Sequence, residues 1–391
     1  MPLDFPDPIY GRITLPPKVR AIVESPVMAR LRNVRQLGFT AVTYPGAVHT
    51  RFEHTIGTCE ALSRLMEQFG GTQKDLRDRL MMAAIVSEIG IFPLSYSGRA
   101  VFKKYGMDKK EYGRLLFDSF IKSQVGFDYT ECRRADEDAA TQAWWSPVRN
   151  CASFSYLTPV KLASTIDYVL RDGYYTGRQM GTFDYRYFSS LHANIWEDGR
   201  ITLRESLYSL HRAAHALNVT YGDPLRRLLT QALIVLTDKL TEVHELDLGV
   251  TKDPNVYVVY DDSTFLYELS SAVRRAKKYS AGLQAILDMV LQRTIPTVEK
   301  SNLPKGASKH RCEKLRLQIA KQRKIHPWQV FFLDYGGDEN VGFRLFGTDF
   351  TSYNKAINSR LFKNCTALNP RLDAVLQESM NVEFVAVGSH N

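Results

Sequence analysis

The sequence predicts a mainly α fold, a large helical core followed by a small C-terminal α/β lobe, and three observations predict it. Apolar residues recur at three- and four-residue steps through most of the first 300 positions. The segments so patterned begin at Ser, Asp or Pro and end at Gly, as helices do. Past residue 300 the pattern becomes short runs rich in Val and Phe, separated by turn residues. The chain has 391 residues, 44% apolar and 24% charged, enough to build a sizeable core in an ordinary globule.

The elements follow in order. "SPVMARLRNVRQLG" opens with Ser25 as a cap and Pro26 at the first helical position, and Met28, Leu31, Val34 and Leu37 form one face. "EHTIGTCEALSRLMEQFG" carries Ile56, Leu62, Leu65 and Met66 as its stripe and stops at Gly70-Gly71. "DLRDRLMMAAIVSEIG" is almost wholly apolar toward its end, so it is expected to be buried. "VKLASTIDYVLRDGYYTG", "GDPLRRLLTQALIVLTDKLTEV", "FLYELSSAVRRAKK" and "AGLQAILDMVLQR" continue the helical series. The stretch from 120 to 150 carries no pattern that assigns it. "HPWQVFFLDYGG" and "NVGFRLFGTDF" read as strands about a Gly-Asp-Glu-Asn turn. The expected domains are therefore 1–300, helical, and 301–391, α/β.

The net charge of +9 is concentrated at the junction. From Lys305 to Lys324 eight Lys or Arg face one Glu313, a net +7. Such a block can hold phosphates or nucleic acid, although the scarcity of aromatic residues there favours a solvated basic segment. Five scattered cysteines without a CxxC exclude a zinc knuckle or disulfide framework and point to reduced thiols. No apolar run reaches membrane-helix length, and "MPLDFPDPIYG" has no basic start or apolar stretch. A cytoplasmic location with no membrane partner is expected. There is no Walker A loop, no GxSxG elbow and no convincing dinucleotide-binding glycine pattern.

One histidine-bearing motif stands out. The run from Asp7 to Thr58 contains "RLRNVRQLG" and "PGAVHTRFEHTIGT". It closely resembles the opening of the HD-domain deoxynucleoside triphosphate triphosphohydrolases, the SAM-and-HD-domain type in particular. "LMMAAIVSEIGIFPLSYSG", "DKKEYGRLLFDSF", "ASTIDYVLRDGYYTG" and "FFLDYGGDENVGFRLF" extend the resemblance over nearly the whole chain. It implies an HD-domain helical core and a phosphohydrolase family.

Members of that family hold a metal ion with the His of RFEH, an adjacent His-Asp pair and a later Asp. Imidazole nitrogens and carboxylate oxygens suit such an ion, which polarises the phosphoryl group. At these positions the chain has His54, then Ser87-Glu88, then Ser164. Thr165 stands where the resemblance places a phosphate-binding Lys, Ile91 and Tyr96 where it places loop histidines, and Lys110 where it places a histidine of the next helix. No histidine occurs between His54 and His192. His54 is thus a remnant ligand with Glu88 as a second candidate. Metal-assisted triphosphate hydrolysis, and a bound metal or other cofactor, are not expected.

Other positions keep the family's residues. Gln36, Arg51, Tyr168 and Asp172 match residues lining the nucleotide, and with His54 they could still hold a dNTP or GTP. Arg51 and Asp172 could equally pair with each other or cap helices. Glu24, Arg32 and Arg293 match positions that read an activating nucleotide between subunits. The resemblance therefore implies a pseudoenzyme that binds a nucleotide and acts in a homo-oligomer or with an active HD-family paralogue. Two alternatives stay open. His54, Glu88 and Asp167, with His211 or His215 four apart on one helix face, could rebuild a metal site. Residues 305–324 could make the chain a nucleic-acid-associated scaffold.

Overall fold

The computed structural model describes residues 3–71, 73–151, 154–178, 199–292, 297–300, 309–333 and 384–387. The chain forms two compact units, residues 1–217 with 248–265, and residues 218–247 with 266–391. The boundary expected at residue 300 lies inside the second unit.

The first unit opens with a hairpin, β1 (Leu3–Asp7) and β2 (Gly11–Leu15), paired antiparallel with Leu3 opposite Leu15. Its turn is set by Asp7, whose Oδ1 accepts the N–H groups of Ile9 and Tyr10 at 2.8 and 3.0 Å. Helices α1 (Pro17–Val23) and α2 (Pro26–Leu31) follow. The helix expected over 25–38 stops at Leu31, and Ser25 makes no capping hydrogen bond. The apolar face is nonetheless correct, because Met28, Leu31, Val34 and Leu37 are all buried. The chain leaves the helix because Arg35 donates its N–H to Asp262 Oδ2 (3.0 Å), remote in sequence.

Helix α3 (Arg51–Phe69) starts at a capping box, Thr50 with Glu53, and ends at Gly70 in the left-handed conformation (φ 81°). Helices α4 (Lys74–Glu88), α5 (Tyr96–Lys104) and α6 (Lys109–Phe120) come next. The stretch without a sequence pattern contains α7 (Tyr129–Thr141), opened by a second capping box between Asp128 and Glu131. Helix α8 (Pro159–Thr176) packs along α3, and α9 (Gly199–Ala216) follows it. Gly57 permits the close approach of α3 and α8: a Cβ there would run into Asp167 and Arg171.

The second unit contains α10 (Pro224–Glu242) and α12 (Ser280–Val290), which pack together. Helix α11 (Asp262–Arg275) precedes α12 in the chain. Strands β3 (Thr297–Lys300), β4 (Val330–Leu333) and β5 (Phe384–Val387) make an antiparallel sheet in the order β3–β5–β4. The basic segment contains α13 (Lys309–Arg323). The expected strand "NVGFRLFGTDF" lies outside the described residues. The fold is mainly α. Among the described residues no helix is long and apolar enough to cross a membrane.

Candidate functional site

Local pairing brings the motif residues together. Gln36 donates its N–H to the His49 carbonyl (2.9 Å) and Arg51 donates its N–H to the Val34 carbonyl (2.8 Å). Residues 34–36 thus lie beside 49–51, at the start of α3. Helix α8 supplies Ser164, Tyr168 and Asp172, spaced four apart on one face. Asp167 and Arg171 follow on the adjoining stripe.

The imidazole of His54 sits in a saturated chain of polar groups. Its Nδ1 bonds Asp167 Oδ2 at 2.7 Å, and its Nε2 faces Ser164 Oγ at 3.3 Å. Asp167 is also held by Arg171, with Arg171 Nη2 at 2.9 Å from Oδ1. Arg171 reaches Asp7 in the hairpin turn through Nη1 at 2.8 Å. Burial alone would raise the Asp167 carboxyl, but Arg171 and His54 outweigh it and hold it below the ordinary carboxylate range. Thr165, where the resemblance places a Lys, donates its hydroxyl to the Lys161 carbonyl at 2.8 Å.

A second cluster lies at the end of α4. Glu88 accepts from Arg51 Nη1 at 3.0 Å and from Lys109 Nζ at 2.9 Å. Burial pushes its carboxyl up, yet Lys109 and Arg51 reverse the shift and hold it at about 2. The residue beside Glu88 is therefore Lys109, at the first position of α6. Lys110, the position singled out from the sequence, is exposed. Arg51 also donates Nε to Ser95 Oγ (2.9 Å) and lies 5.3 Å from the ring centre of half-exposed Tyr96. Leu94 and Ser95 both adopt positive φ, 56° and 52°. Non-glycine residues pay conformational strain there, and Asp262 holds the loop by accepting the Leu94 N–H at 2.6 Å. Ile91 is buried and contributes its carbonyl to buried Arg30 (2.8 Å). Ser87 donates back to the Ala84 carbonyl at 2.7 Å.

A third group surrounds Asp172. His49 bonds Asp172 Oδ1 through Nε2 at 2.8 Å and stacks on Tyr175 with ring centres 4.5 Å apart. The suggested Arg51–Asp172 pair is thus replaced by two pairs, Arg51–Glu88 and His49–Asp172. His49 was not singled out from the sequence; its only signal there was its place five residues before His54. Among the described residues, Gln36 Oε1, His49 Nδ1 and the Tyr168 hydroxyl are buried with no hydrogen-bond partner in bonding geometry, although Thr165 lies close to Tyr168. Burial raises the Tyr168 phenol well above its ordinary value.

The donors present do not fit a metal ion. Among the described residues no group of three or more His, Cys, Asp and Glu side chains gathers as a ligand set. His54 and Glu88 each face internal partners, and Ser87 faces its own helix. The rebuilt set suggested from the sequence does not assemble. Asp167 meets His54 as an orienting acceptor, Glu88 is covered by cations, and His211 packs near Phe154, with its imidazole lowered to about 4 by burial and by His215. Glu24 pairs with Arg20 at 2.9 Å on the surface of α1, and the Arg32 guanidinium lies 3.6 Å from the centre of the Phe52 ring. Arg293 lies outside the described residues.

Sequence comparison finds SAMHD1 proteins among the relatives, beside uncharacterized proteins such as YwfO of Bacillus subtilis, 29% identical over 192 residues, 46% of this chain and 42% of that protein. The chain is 30% identical over 288 residues to the deoxynucleoside triphosphate triphosphohydrolase SAMHD1 of Xenopus laevis, covering 59% of this chain and 45% of that protein. With SAMHD1 of Danio rerio it shares 26% identity over 353 residues, 76% of this chain and 52% of the relative. In structure it matches a phosphohydrolase from Bacteroides thetaiotaomicron with a TM-score of 0.64 at 19% identity, over 85% of this chain and 87% of the other. These likenesses support an HD-domain, dNTPase-like kinship for the chain. No protein-family model matches the chain. The chain spans about half the length, or less, of the SAMHD1 relatives it matches. In this fold His54 lies in the first turn of α3, and Glu88 ends the helix after it.

Proposed function

We propose that this HD-family homologue binds a nucleotide without hydrolysing it and acts as a regulatory or scaffolding subunit of a homo- or hetero-oligomer. One observation carries the reading. Buried polar atoms on Gln36 and His49, in the segments that carry Arg51, have no partner among the described residues, while the acidic groups nearby are taken by internal cations. Buried polar atoms without partners are costly, so their retention here suits a ligand that satisfies them. With Nε2 on Asp172, the free Nδ1 of His49 accepts a hydrogen bond, as does Gln36 Oε1. Sugar hydroxyls and base amines are donors of the right kind, and a dNTP or GTP offers both. Ser87 and Ser164 are poor metal ligands at neutral pH, and Thr165 brings no positive charge to a phosphate.

The test runs in two parts. Purified protein with dNTPs, GTP, manganese and magnesium should release no tripolyphosphate, while calorimetry should detect a bound dNTP or GTP. Light scattering with and without nucleotide should report an oligomer. Turnover abolished by His54→Ala, with near-stoichiometric metal, would overturn the reading.

A further inference from the structure

We propose that this chain takes the polyphosphate of its nucleotide without a metal ion, Lys109 joining Arg51 to supply the positive charge. The inference rests on the nucleotide-binding reading above and adds how the anion is held.

The charge of the second cluster points this way. Arg51 and Lys109 contribute two positive charges against the one carboxylate of Glu88, so the cluster carries a surplus of one. A divalent cation placed there would need Glu88 oxygens that already face an ammonium and a guanidinium, at 2.9 and 3.0 Å. It would also sit beside two like charges at contact distance, where repulsion is strong in a partly buried setting. A phosphate oxygen meets the opposite situation, since both cations attract it.

The two cations differ in freedom. The Arg51 side chain is 4% exposed and is fixed by Ser95 and by the Gln36 carbonyl. The Lys109 side chain is 28% exposed, and its only hydrogen bond among the described residues is to Glu88. A lysine stem is flexible and its ammonium has three donors. Lys109 can therefore keep one N–H on Glu88 while the others turn to phosphate, or exchange Glu88 for phosphate outright. Arg51 supplies a fixed fork and Lys109 an adjustable point charge. Lys109 is also the first residue of α6, a twelve-residue helix whose N-terminal dipole adds to the positive potential. Glu88 then has a defined role: in the absence of the anion it keeps two close cations from repelling each other.

Titration calorimetry with dGTP and with inorganic tripolyphosphate, each in excess EDTA and again with added magnesium or manganese, tests this. Binding is expected to persist in EDTA with little change on adding metal. Lys109→Gln should weaken dGTP binding in EDTA by about tenfold or more, the value of one hydrogen bond to a charged group. Lys109→Arg should restore most of it, and exposed Lys110→Gln should leave it unchanged, which separates local anion contact from general charge. Urea unfolding of each variant keeps a folding defect apart from a binding defect. Binding seen only with added metal, or binding in EDTA indifferent to Lys109→Gln, overturns the inference and leaves nucleotide binding standing. Binding absent in both buffers overturns the nucleotide reading and the inference together.

Discussion

Two charged clusters flank the N-terminal end of α3, and they are built on opposite terms. The His54–Asp167–Arg171–Asp7 chain is closed: its side chains are at most 4% exposed and each ion pair has both partners buried. The Arg51–Glu88–Lys109 cluster is open on one side, carries one more cation than anions, and contains a lysine 28% exposed. The first kind of arrangement makes structure. Removing one member strands a buried charge, so the cost falls on folding. The second kind keeps charge available to a ligand, and the cost of change falls on binding.

The largest expected effect breaks the closed side. Arg171→Met leaves Asp7 and Asp167 buried without their shared cation, and should destabilise the fold by about 3–5 kcal/mol in urea unfolding. If it cost no more than a surface ion pair, the contrast between the clusters would collapse. The next concerns pH on the open side. Glu88 is held at about 2 in the folded chain, below its ordinary value near 4.5. Its contribution to stability is present above pH 4.5 and is lost as pH falls through that window toward 2. The loss should be on the order of 3 kcal/mol, and Glu88→Gln should flatten the stability curve there.

Gly57→Ala should then cost about 1–3 kcal/mol, because the added Cβ meets Asp167 and Arg171, and thermal unfolding would read it. Smallest is Lys109→Met, expected to cost about 1 kcal/mol at neutral pH, since the pair it breaks is partly exposed and Arg51 still holds Glu88. A loss as large as that of Arg171→Met would move Lys109 from the binding side of the comparison to the structural side.

Much of the architecture was legible in the residues. Gly70 ends α3 as its place after the apolar stripe implied, and the burial of Met28, Leu31, Val34 and Leu37 followed from their spacing. The end of α2 at Leu31 was not legible, because the competitor for the Arg35 N–H is Asp262, a residue 227 positions away. The hairpin of β1 and β2 escaped for a similar reason, its turn being closed by the Asp7 side chain that also reaches Arg171. Helix α7 could have been found: Asp128 and Glu131 stand at capping-box spacing. The site was legible as a set of candidates but not as a set of pairs. His49, Lys109 and Arg171 were absent from that set, since each matters through a partner distant in sequence.

By itself the sequence determined the mainly α fold, the resemblance to the HD-domain family, and the chemical types at the positions that matter: one imidazole, one carboxylate, two serines and a threonine. Side-chain chemistry is local, and periodic apolar patterning reports which face of an element is buried, so both can be read along the chain. Only the tertiary structure decided who meets whom. It gave Asp167 rather than a metal to His54, His49 rather than Arg51 to Asp172, and Lys109 with Arg51 to Glu88. Ion pairing in a buried site acts over a few ångströms between groups 21 to 164 residues apart. No spacing in the sequence encodes that distance; the packing of α3 against α4 and α8 sets it.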